Sequence, residues 1–161
     1  MLLDEENYKE KIHAFTLQDW QPLLALIPVI ESTKKFSTWP KGGMEVEKGV
    51  FCISGIAEEA PVLNRFREIV YTMPIMIAFD WGSWDEGHAM AADDAFDYDS
   101  IDIPTKCKLI TAFVRNDRFC EGALAGVFEN GLILKILKSI EKQLTGSDTP
   151  QALRDKKGRS Y

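Results

Sequence analysis

Cysteine is scarce in this 161-residue chain, with three residues at Cys52, Cys107 and Cys120. They are far apart, odd in number and set among apolar neighbours, which suits reduced thiols rather than a disulfide framework. No CxxC spacing or Cys/His cluster is present to hold zinc. Histidine is scarcer still, with only His13 and His88, so acid–base chemistry built on imidazole has little to draw on. Apolar runs stay well short of the roughly 18 residues that a membrane span needs, and the longest, over residues 23–30, is broken by Pro28. The first residues turn acidic at once and lack the basic-then-apolar order of a signal peptide. Phosphate loops, dinucleotide fingerprints, nucleophile elbows and zinc-protease helices are missing too. A cytoplasmic protein with no cofactor and no metal is expected.

Positive charge is missing from one long stretch. Residues 80–102 carry eight acids and no Lys or Arg, whereas the whole chain is −6, so the remainder is about +2. Such a segment repels phosphate backbones, which disfavours nucleic acid as a partner. Its later part, Asp93 to Asp102, is read as a solvated acidic linker. Asp97-Tyr98-Asp99 opens like a calcium loop, but Ile101, Asp102 and Lys108 occupy positions that an EF-hand gives to a ligand, a glycine and a glutamate. His88 and Asp85, at helical spacing, supply two ligands where a metal site needs more.

With 45% hydrophobic and 27% charged residues, the chain has ample material for one core without staples. The periodicity predicts an α+β fold, predominantly α, with five or six helices and one small β-hairpin at residues 44–54. Residues 1–15 read as a frayed or loosely docked N-terminal arm, 16–144 as a single globular domain, and 145–161 as a disordered tail. Thr16 with Asp19 matches a capping box that opens the first helix, and Pro28 bends or ends it. A helix over residues 58–71 puts Val62, Leu63, Phe66, Ile69 and Val70 on one face, leaving Arg65, Arg67 and Glu68 as its wet side. Residues 73–79 are apolar without a decisive period, and a short helix then runs to about residue 92. Asp102 and Pro104 open a helix to about residue 116. A shorter one over residues 120–129 stops at Asn130-Gly131, and the last occupies residues 132–144.

Between the two apolar segments that flank it, the run Arg115-Asn116-Asp117-Arg118-Phe119-Cys120-Glu121-Gly122 is the strongest functional lead. Charges placed where core helices meet must pair with each other or serve a site. Arg115, Asp117, Arg118 and Glu121 are therefore candidate ligand-binding residues, either as a structural network or as a pocket for a carboxylate or phosphate. Trp81 and Trp84 are added to them; with Trp39 they are large aromatics beside turns, able to anchor loops or to wall a groove. A small-molecule site, if built, is expected where the bend over residues 115–121 approaches Trp81 and Trp84. Cys120 has no histidine base near it in sequence, so an inert thiol is preferred to a nucleophile.

Residues 109–122, followed by Glu129-Asn130-Gly131 and the apolar helix after it, resemble a bacterial family known as domain of unknown function 6508. The shared pattern is LT-x-x-x-R-x-x-RF-x-acid-G, with a looser match at Asp80-Trp81 and Trp84. The resemblance implies no activity, ligand or catalytic residue. The function expected is that of a bacterial cytosolic, non-enzymatic binding or interaction module, with a protein or small molecule as partner. The alternative is a small hydrolase or transferase using Asp117 or Glu121 beside Arg115 or Arg118.

Overall fold

The first strand begins at Leu3. The computed structural model describes residues 2–38 and 58–146, and the backbone of two strands between them. Strand β1 (Leu3–Asp4) lies parallel to β4 (Ile77–Ala78), Leu3 opposite Ile77. Helix α1 (Tyr8–His13) follows and buries Tyr8 and Ile12. The expectation of a loosely docked arm over residues 1–15 is therefore corrected. Three apolar side chains at Leu3, Tyr8 and Ile12 join the main core, and each full burial is worth roughly 1.5–3 kcal/mol before the entropy of ordering.

Thr16 opens α2 (Leu17–Leu24) with the expected reciprocal box. Its hydroxyl accepts from the Asp19 N–H at 3.2 Å, and the Asp19 carboxylate accepts from the Thr16 N–H at 2.8 Å. The helix halts at Ala25 and resumes as α3 (Leu26–Ser32). Pro28 explains the break: it cannot donate to the Leu24 carbonyl, and its ring crowds that oxygen. Beyond α3 an antiparallel pair, β2 (Met44–Glu47) and β3 (Val50–Cys52), matches the expected hairpin, with Met44 opposite Cys52. Helix α4 (Pro61–Thr72) buries Val62, Leu63, Phe66, Ile69 and Val70, as its period predicts. The undecided stretch at residues 73–79 holds β4. A 3-10 turn at Trp81–Ser83 leads into α5 (Asp85–Ala92). A second 3-10 turn (Tyr98–Ser100) precedes α6 (Ile103–Asn116), which Asp102 caps by accepting from the Thr105 N–H at 2.9 Å. Helices α7 (Ala123–Glu129) and α8 (Leu132–Thr145) complete the described fold. The molecule is predominantly α with small β elements. The eight α-helical segments among the described residues exceed the expected five or six because α1 went unread and Pro28 divides one helix in two. Trp39 and residues 147–161, including most of the expected tail, lie outside the described residues.

The core gathers on α6 and α8, both amphipathic and both buried along one face. Buried Thr111 ties α6 to β4: its hydroxyl donates to the Cys107 carbonyl at 2.8 Å and accepts from the Ile77 N–H at 3.1 Å. Burial raises the Cys107 thiol well above its ordinary range, so that sulfur is inert. The acidic segment is not a solvated linker throughout. Tyr98 is buried, and the Asp99 carboxylate takes hydrogen bonds from Lys142 at 2.8 Å and from Ser139 on α8. Those bonds, the Lys142 one first, hold the Asp99 carboxyl below its ordinary range.

Lys108 fastens the N-terminal segment to α6. Its ammonium lies 4.6, 5.2 and 5.6 Å from the ring centres of Phe79, Tyr8 and Trp84, and the Glu5 carboxylate closes on it at 3.2 Å. Three ring faces and one acid replace much of the water that the ammonium gives up. Trp84 completes this corner by packing edge-on to Phe79, centroids 5.5 Å apart, and by lying flat against Gly87, where a Cβ would come within 2.2 Å of the indole. Gly126, inside α7, has open space beside it. Gly87→Ala is expected to lower stability by about 1–3 kcal/mol through displacement of Trp84. Gly126→Ala should leave stability unchanged or raise it by up to about 1 kcal/mol. Urea unfolding of the two variants measures the contrast, and equal effects would mean that Trp84 does not rest on α5.

Candidate functional site

The charged cluster at the α6–α7 junction centres on a residue outside it in sequence. Arg67, in the middle of α4, sends its guanidinium to two carboxylates. It grips Glu59 with both forks, at 2.8 and 3.0 Å, and reaches Asp117 at 3.0 Å. The three side chains are largely shielded, 25%, 17% and 14% exposed for Arg67, Glu59 and Asp117. The Glu59 bond and, less strongly, Asp117 hold the Arg67 guanidinium above its ordinary range against the opposing cost of burial. Reading Arg67 as part of a solvated helix face is thus corrected.

Asp117 has a second task. Its other oxygen accepts from the Leu124 N–H at 2.9 Å, satisfying a donor that the first turn of α7 would otherwise leave open. The turn over residues 117–122 makes this geometry reachable by reversing at Gly122, whose φ of +89° strains any residue with a Cβ. The far end of α7 is also fastened: Glu129 accepts from the Phe36 N–H at 2.9 Å. Phe128 packs between Phe36, tilted by 45°, and Phe66, edge-on, with ring centres 5.4 and 5.3 Å away. Segment 36–38, joined to residues 58–60 by backbone hydrogen bonds, carries Glu59 to this point.

The other candidates separate. Arg118 and Glu121 are exposed and form no ion pair among the described residues. Arg115 is half-buried, and its Nε, itself buried, has no hydrogen-bond partner among the described residues. Trp84 belongs to the Lys108 corner. Neither tryptophan forms a cation–π pair with Arg115 or Arg118 among the described residues. Cys120 is exposed and bonds to neither histidine.

Trp81 instead meets the turn through an aromatic neighbour. Its ring lies 6.0 Å from that of Phe119, tilted by 34°. Phe119 is 79% exposed, the most exposed large apolar side chain among the described residues. Trp81, but not Phe119, lines a groove of about 220 Å³. Trp81, Gly87, His88 and Ala91 line it from the Trp81 turn and α5, Leu109, Ala112, Phe113 and Asn116 from α6, and Val127 from α7. Apolar walls with a few polar groups suit recognition of a small apolar group. The sequence placed a possible groove beside Trp81 but did not single out Phe119 or the α6 residues that line it. The signal available was a phenylalanine inside a polar, charged turn. Among the described residues no group of three His, Cys, Asp or Glu gathers. No described helix is long and apolar enough to cross a membrane.

Arg67→Ala leaves two shielded carboxylates without their cation and should cost about 2–4 kcal/mol. Arg118→Ala should cost within about 0.5 kcal/mol. Urea unfolding compares them, and a larger loss at Arg118 would reverse the assignment made here.

No curated protein and no solved structure matches the chain. One family model does, over residues 15–146, which takes in α2 to α8, the Arg67 network and the groove. The chain belongs to the family of unknown function DUF6508.

Proposed function

We propose that this domain is a non-enzymatic binding module of the bacterial cytosol, and that its contact face is the Phe119–Trp81 pair with the groove that Trp81 lines. Phe119 carries the reading. A phenylalanine held 79% exposed on a braced turn gains little for the fold, whereas a partner that covers it gains the full burial of an aromatic ring. Trp81 supports the ring from below, and the groove offers a slot for one side chain of the partner. The Arg118 and Glu121 side chains flank Phe119 on the exposed turn and supply a polar rim. The hydrolase or transferase alternative loses one of its two carboxylates to architecture, since Asp117 spends both oxygens on Arg67 and Leu124, and the other, Glu121, stands exposed without an ion pair among the described residues. Three scattered cysteines suit the reducing compartment.

Selection of a random peptide library against the full chain tests this. Enriched peptides should shift the Trp81 indole and His88 NMR signals. Phe119→Ala should weaken them at least about ten-fold, the loss of a central aromatic anchor, with the urea midpoint unchanged. Peptides that bind Phe119→Ala as tightly as the parent would overturn the assignment.

A further inference from the structure

The wall of the groove that carries Trp81 is electrically one-sided. It is built from the start of the segment over residues 80–102, which holds eight acids and no Lys or Arg. Asp80, Asp85, Glu86 and Asp93 are all exposed there. None of them enters an ion pair among the described residues, although acids elsewhere do so: Glu5, Glu31, Glu59, Glu68, Asp99 and Asp117 each have a cation. Helix α5 offsets part of this charge at its start and adds to it only at its far end. Its carbonyl end carries partial negative charge and is followed by Asp93 and Asp94, whereas Asp85 and Glu86 stand at its start. Asp80 precedes Trp81 and Asp85 lies about one turn before His88, and both of those neighbours line the groove, so the acids adjoin it without lining it. On the opposite bank Arg118 and Glu121 offset each other, and Arg115 is half-buried. The groove thus couples an apolar slot to an unneutralised acidic bank.

We infer that the partner is a basic segment of another protein, one that sets an apolar side chain into the groove beside Trp81 and lays Lys or Arg along Asp80, Asp85 and Glu86. The inference rests on the contact face proposed above and adds the chemistry of what binds it. Charges at such a rim govern the rate and selectivity of encounter more than the final affinity, and they are screened by salt over about 10 Å at 0.1 M. A basic partner should therefore bind with marked salt dependence, and an acidic one of the same apolar content should be rejected.

Three amidated, acetylated synthetic peptides separate the contributions: two lysines on either side of a leucine pair, the same lysines around a serine pair, and glutamates around the leucine pair. Each is titrated into the full 15N-labelled chain at 50 and 300 mM salt. The lysine–leucine peptide should shift the Trp81 indole and His88 signals, bind at least ten-fold more tightly than the glutamate–leucine peptide, and lose most of that advantage at the higher salt. The lysine–serine peptide should bind more weakly than its leucine counterpart. The Asp85→Lys, Glu86→Lys double variant should reverse the preference between the two leucine peptides. Equal shifts by both leucine peptides would overturn the basic partner and leave the contact face standing. Shifts at neither Trp81 nor His88 with any peptide would remove the face itself, and with it this inference.

Discussion

One guanidinium joins three parts of the chain that sequence keeps apart. Arg67 holds Glu59, from the segment that pairs with residues 36–38, and Asp117, from the end of α6. A bidentate fork fixes the plane of the Glu59 carboxylate as well as its distance, and the shared carboxylate of Asp117 then places the first turn of α7. Take the cation away and two shielded acids face each other at the point where the helix must start. The seven residues of α7 are too few to be helical unaided. Pinning at Leu124 and Glu129, together with the packing of Phe128, supplies what helix propensity does not.

The consequence for function is positional. The turn over residues 117–122 has its ends set by α6 and by the Asp117–Leu124 bond, so Phe119 projects from a braced loop rather than a free one. Trp81 comes to it from a different direction. The 3-10 turn at Trp81–Ser83 is followed directly by Trp84, whose ring is trapped among Phe79, Lys108 and Gly87. Two independent supports, one ionic and one aromatic, converge on the same pair, half-buried Trp81 and exposed Phe119. A contact surface held this way gives up little conformational entropy when a partner arrives.

Local grammar was legible in the sequence and long-range pairing was not. The Thr16 box, the Asp102 cap, the stop at Asn130-Gly131 and the buried face of α4 all depend on residues within a turn or two of one another, and each appears as expected. The partner of Asp117 lies 50 residues away on a helix whose period marks Arg67 as wet, so nearby Arg115 and Arg118 looked like better candidates. Leu3 to Ile12 failed for the same reason: a two-residue strand gains its identity only from a parallel neighbour at Ile77–Ala78, and no local pattern announces it. The charged run did mark a structural junction, and Trp81 did lie beside it. What joined them was Phe119, an uncharged residue of the run that leaves 79% of its surface exposed.

A double-mutant cycle on Arg67→Met and Asp117→Asn, read by urea unfolding, tests the junction most directly. A bond that organises the α6–α7 turn should show a coupling energy of about 1–3 kcal/mol, with each single variant costing nearly as much as the pair. Losses that simply add, leaving a coupling within about 0.3 kcal/mol, would show that the two residues act separately and that the turn is held by packing alone.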